Sequence, residues 1–219
     1  MLYFWLVFPF MLIVHDTYFY WTHRLMHHPK LFTFFHVVHH KSVNPSPWAS
    51  FSFQPTEAII ESAIIYIFAF AFPIHILHLF IFLIFMTIYN VYGHLGFELF
   101  PKWFNKHWFF KWFNTSVNHN MHHQYFKGNY SLYFTWWDRI MKTLHKDYDT
   151  RFEEFCNETI ILRKEIKYAE KSEVQYCDAR AEHQLKKSIL IENVDLFSIM
   201  SSNYFFHEHY TIMRNFLFF

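Results

Sequence analysis

Hydrophobic positions in this chain come in long blocks and show no strand-like alternation. Leu2 to Trp21 is almost unbroken apolar and aromatic sequence. At about 20 residues it is long enough, as a helix, to cross a hydrocarbon core of about 30 Å. A second block runs from Ala58 to Tyr92 and is interrupted at Pro73, where a missing N–H and a bulky ring stop a helix. Its halves, about 15 and 19 residues, predict a helical hairpin that dips through the bilayer and returns, although the first half is short for a full span. Between Lys102 and Thr143 polar and aromatic positions mix, with Trp103, Trp108, Trp112, Trp136 and Trp137 among them. Short interfacial helices are expected there, because indole rings favour the membrane boundary. From about Asp149 to Asp195 Glu, Lys and Arg become frequent, which predicts a solvated helix around Glu153 to Lys187; Leu196 to Phe219 turns aromatic again. The N-terminal run lacks a basic leader and a small-residue cleavage site, so it reads as a membrane span and not as a removable signal.

Composition agrees with a bilayer. Of 219 residues, 53% are hydrophobic and 24% aromatic, with 31 Phe and only 3 Gly, a load unusual for a water-soluble globule. The net charge of +1 and the lack of a basic stripe exclude nucleic acid as a partner. Cys156 and Cys177 form no Cys-x-x-Cys pair, so neither a zinc knuckle nor a disulfide framework is indicated. Arg24, Lys30 and Lys41 follow the first apolar run, and positive charge in a short loop marks the cytoplasmic side.

Against this background the histidines stand out. They read His23-x-x-x-His27, His36-x-x-His39-His40 and His119-x-x-His122-His123, with His94 alone between the last two groups. At this chain's histidine frequency roughly 0.1 copies of His-x-x-His-His are expected by chance, so two copies carry information. On a helix, residues three and four apart share a face, so each group is expected to aim two or three imidazoles at one spot. Nine neutral nitrogens exceed the needs of one ion, and two metals follow. Imidazole suits iron, copper, zinc and nickel alike. There is no His-Glu-x-x-His to suggest a zinc protease and no Glu-x-x-His to suggest a di-iron carboxylate bundle. A returning hairpin would bring His94 and the His119 group to the same membrane face as His23 to His40. The predicted fold is therefore all-α: an integral membrane protein with a transmembrane helix, a helical hairpin and a cytosol-facing, His-rich helical cap. Asp16 lies two helical turns before His23 and is expected to accept that ring's second N–H. His15 and Glu61, at membrane depth, are costly there and invite a functional reading. His28, His75, His78, His107, His145, His183, His207 and His209 are left out of the metal set.

The run Asp16-x-x-x-Tyr20-Trp21-x-His23-Arg24-x-x-His27-His28-Pro29-x-Leu31, then His36-x-x-His39-His40-Lys41, Pro55-x-Glu57, His94-x-Gly96, and His119-x-x-His122-His123 through Asn129-Tyr130 to Trp137-Asp138-Arg139, resembles the fatty acid hydroxylase and sterol desaturase superfamily. The resemblance covers about residues 10 to 150. It implies a membrane-bound, histidine-ligated di-iron oxygenase that uses O2 and external electrons to hydroxylate or desaturate an unactivated C–H bond of a lipid; zinc can replace the iron in preparations. Position by position, it makes His23, His27, His36, His39, His40, His94, His119, His122 and His123 the ligands and lets Asn90, one turn before His94, reach a metal through water. Residues 1–150 are then the catalytic membrane domain and 151–219 a tail of unassigned function. Gln54, where many relatives have His, and Lys142 before Thr143, where they have Gly, depart from the pattern. Relatives also carry more membrane span ahead of the first His motif, which points to a truncated start.

With Gly93, Gly96 and Gly128 as the only glycines, no dinucleotide-binding loop of the usual kind can be built. Electrons are expected from cytochrome b5, or from a ferredoxin with its reductase. The rival readings are a non-catalytic membrane protein that binds or transports metal, and a hydrolase using a metal-activated water.

Overall fold

The computed structural model describes residues 2–190. Chain contacts divide the protein into two compact units, Met1–Arg163 and Lys164–Phe219. Among the described residues the regular elements are helices, apart from one isolated bridge between Phe113 and Phe134. The aromatic stretch expected from Leu196 onward, with His207 and His209, lies outside the described residues, as does the His183 side chain.

Helix α1 (Leu2–Met26) takes up the first apolar run. A seven-residue helix, α2 (Pro29–Phe35), follows after a break at His27 and His28, with proline in its first turn and His28 as N-cap. Helix α3 (Pro55–Ala71) also opens on proline and ends before Pro73, the two places where proline is tolerated next to a helix. Helix α4 (Ile76–Gly93) is capped by His75, whose ring accepts the Leu77 N–H. Among the described residues it is the helix long and apolar enough to cross a membrane. Val7 and Met11 of α1, Ile64 and Phe68 of α3 and Phe82 of α4 form one fully buried cluster. The outer faces of α3 and α4 stay apolar: Phe70 is 88% and Ile88 63% exposed. A surface of that kind fits lipid better than water.

The region from Lys102 to Thr143 carries two short 3-10 turns, Phe104–Lys106 and Phe110–Trp112, then α5 (Ser116–Tyr125) and α6 (Trp136–Ile140). Helix α7 (Tyr148–Leu190) covers the charged stretch, and its first residues, Tyr148, Phe152 and Cys156, pack with Phe104, Val117 and Met121.

Two buried carboxylates tie these pieces together. Asp16 in α1 accepts the backbone N–H groups of Leu132, Tyr133 and Phe134 (3.2, 2.7 and 3.2 Å) and the Trp136 indole N–H (2.6 Å). Asp138 accepts from the Tyr130 and Ser131 N–H groups and from the Thr143 hydroxyl. The loop from Tyr130 to Phe134 is thus clamped from both ends by charge-assisted bonds. Asp16→Asn keeps the shape but puts an NH2 among four donors and removes the charge; we expect it to destabilise the fold by about 2–4 kcal/mol, read as a lower melting temperature of detergent-solubilised protein. Unchanged melting would show that the clamp contributes little.

Candidate metal centre

Helix α5 reads Ser-Val-Asn-His-Asn-Met-His-His through residue 123, and every one of these side chains is buried. Burying that many polar groups is unfavourable unless each finds a partner. His122 and His123 find theirs in the Gly128 and Ser42 carbonyls, while the Nε2 atoms of its histidines face other histidines. His23 comes from the last turn of α1 and His27 from the residue just after it, His36 from the C-cap of α2, His39 and His40 from a 3-10 turn, and His94 from the C-cap of α4. All nine imidazoles singled out in the sequence meet in two adjoining groups. His23, His27, His36, His40 and His122 form one, and His39, His94, His119 and His123 the other, with the candidate ligand atoms of each group within 4.8 Å of one another.

The grouping differs from the expectation that each motif serves one spot. Residues four apart stay together: His23 with His27, His36 with His40, His119 with His123. The residue three along, His39 or His122, joins the other group. On α5 the cause is the 100° step of the helix, which turns His122 about 100° away from His123. His36 to His40 does not lie on an α-helix at all, since α2 stops at Phe35.

The protons decide what the groups are. Nδ1 of His23 donates to the Tyr130 carbonyl (2.9 Å), that of His39 to Ser52 (3.3 Å), that of His94 to Asn90 (2.7 Å), that of His122 to Gly128 (2.8 Å) and that of His123 to Ser42 (3.0 Å). His36 Nδ1 donates to Glu57 Oε1 at 2.6 Å. An oxygen acceptor fixes the proton on Nδ1, so Nε2 of each neutral ring carries a lone pair. Yet Nε2 of His23 faces Nε2 of His36 at 3.0 Å, and that of His94 faces those of His39 and His123 at 3.2 Å. In these pairs neither ring has a proton to offer, so the contacts are not hydrogen bonds. Cations placed among the nitrogens would satisfy them, and the five-plus-four donor set fits two ions of the kind imidazole favours. His27 Nε2, buried with no hydrogen-bond partner, belongs to the same five.

Burial also holds these rings neutral. It is the largest cause of a pKa near 2 for His27, near 3 for His123 and near 4 for His94; the cost of adding a second charge beside a neighbouring imidazole, His23 for His27 and His94 for His123, pushes the same way.

Asp16 does not take the second N–H of His23, which is spent on Tyr130. It acts one step further out, by holding the loop that presents that carbonyl. The Asn90 side chain donates to the Ser50 carbonyl, and it is the Asn90 backbone oxygen that serves His94. Glu57, which the sequence reading did not assign to the site, supports it through His36; its signal in the sequence is an acid in the first turn of a largely apolar helix. His15 Nδ1 meets the Tyr133 hydroxyl at 2.9 Å. Glu61 is half-buried in α3. His28, His75 and His107 do ordinary work, each ring accepting a nearby backbone N–H.

The fatty acid hydroxylase family profile matches residues 8–143. The chain belongs to this family. It is 34% identical over 128 residues to a Delta(7)-sterol 5(6)-desaturase of Gibberella zeae, covering 58% of this chain and 38% of that protein. It is 33% identical over 145 residues to the Delta(7)-sterol 5(6)-desaturase of Leptosphaeria maculans (66% and 38%), and 33% identical over 126 residues to the lathosterol oxidase of Homo sapiens (57% and 40%). The chain spans about two fifths of the length of these relatives. No solved structure matches.

Two outcomes test the centre. Glu57→Gln, which weakens the hold on His36 Nδ1, is expected to lower metal affinity about tenfold, and Glu57→Ala up to about 100-fold, measured by chelator competition. For metal-free protein, histidines with lowered folded-state pKa values bind fewer protons than the unfolded chain below pH 6.5. Melting temperature should therefore fall as the pH is lowered from about 6.5 toward 4; a profile flat to pH 4.5 would contradict the buried neutral cluster.

Proposed function

We propose that this chain carries the metal centre of a membrane-bound oxygenase that acts on an unactivated C–H bond of a lipid. The carrying observation is the set of locked Nε2 lone pairs gathered in two groups, which suits two irons held by His23, His27, His36, His40 and His122 and by His39, His94, His119 and His123. Bound iron would supply O2 activation and hydrogen abstraction, and zinc could replace it in preparations. The chain's own residues do the rest. Carbonyls of Ser42, Ser52, Asn90, Gly128 and Tyr130 and the Glu57 carboxylate aim the rings, and the burial of both groups keeps bulk water from them.

The named relatives favour desaturation of a sterol or a similar ring lipid. In that reaction the substrate loses two hydrogens to form a C=C bond, while O2 takes these with two further electrons and two protons and leaves as two waters. The electrons come from a separate protein, cytochrome b5 or a ferredoxin with its reductase. The setting is the bilayer, with α1 as a span and α3 and α4 as a hairpin in this reading, and Arg24, Lys30 and Lys41 favour a cytoplasmic position for the histidine-rich cap.

The test compares host lipids with and without the expressed protein under 18-O oxygen, alongside a metal count. We expect about two irons per chain and a new double bond without label, with His39→Ala and His122→Ala each losing metal and cutting product at least about 100-fold. Label in the product would mean hydroxylation. Metal without O2 uptake would favour a storage or transport protein, and lipid cleavage without O2 uptake a hydrolase.

A further inference from the structure

The hydrogen bonds that aim six of the nine rings have no counterpart at His40. Its inner nitrogen, Nε2, lies 3.0 Å from His122 Nε2 like the others, but its outer nitrogen, Nδ1, is buried without a hydrogen-bond partner. What touches this imidazole instead is aromatic surface. The ring centroid is 4.5 Å from that of His123 at an interplanar angle of 27°, 4.9 Å from that of Phe126 at 37°, and 5.7 Å from that of Phe32.

Phe126 reaches that position by an unusual route. It is the C-cap of α5, with its N–H on the His122 carbonyl and a left-handed φ of 61°. Helices commonly end in this conformation, but on glycine, because a Cβ there crowds the following carbonyl. Glycine would end α5 equally well, so the strained phenylalanine calls for a reason. Its ring supplies one: it lies against His40 on one side, 6.0 Å from Phe32, and remains 38% exposed. It therefore stands between an imidazole of the five-histidine group and solvent.

We propose that Phe126 is the positioning residue for His40. Its ring substitutes by stacking for the missing outer hydrogen bond and screens the five-histidine group from water. This rests on the reading of that group as a metal site, and it predicts something that reading does not: the backbone strain and the metal grip trade against each other at one residue.

The experiment uses the full chain in detergent, loaded with ferrous iron, and three proteins: wild type, Phe126→Gly and Phe126→Tyr. Phe126→Gly relieves the left-handed strain, so metal-free protein should melt no lower than wild type. The loaded variant should nonetheless release one of its two irons to a chelator about tenfold faster, the size of effect typical of a lost outer partner, while the other leaves at the wild-type rate. Phe126→Tyr keeps the ring and should release both as wild type does. Equal release from wild type and Phe126→Gly overturns the proposal, and so does uniform acceleration of both irons, which would signal general loosening. A wild-type chain that binds no metal at all overturns the metal reading itself, and this inference with it.

Discussion

Six imidazoles whose outer nitrogens donate to oxygen must turn their remaining lone pairs inward, and here those lone pairs approach one another to about 3 Å. Without a cation among them this arrangement is repulsive, and burial denies it the relief of water. Much of the rest of the molecule serves to hold it. Tyr130 can offer its carbonyl to His23 because Asp138 grips the Tyr130 and Ser131 amides and Asp16 grips the next three. His94 is aimed by the last turn of its own helix, and His122 by Gly128, whose φ of 80° and close approach to the Thr143 carbonyl leave no room for a Cβ. Removal of any of these supports acts on the centre through a named bond.

The apolar helices have a different task. Their mutual packing through Met11, Phe68 and Phe82 is modest in extent, and much of their remaining surface is hydrophobic and uncovered. They bring α1 and α4 alongside each other so that His23 and His94, at or near their C-terminal ends, reach the same polar layer as α5.

Much of this was legible in the chain. The histidine spacings identified all nine rings, Pro73 marked the break between α3 and α4, and the charged run after residue 148 matched α7. What could not be read was partnership at long range. Asp16 lies 116 to 120 residues from the donors it serves, and the expectation that it would bond His23 followed from helical proximity alone. Glu57 was hidden for the same reason, because nothing local says that an acid at the start of α3 will meet a ring 21 residues earlier. The sharing of each His-x-x-His-His motif between two groups was missed because three-apart and four-apart spacings were treated as equivalent, whereas on a helix such as α5 they diverge.

That sharing couples the fates of the two groups. Helix α5 sends His119 and His123 to one side and His122 to the other, and a rigid helix has a single rotation about its axis. A change that turns α5 about its axis would therefore reach both groups at once, even where its cause lies beside only one of them.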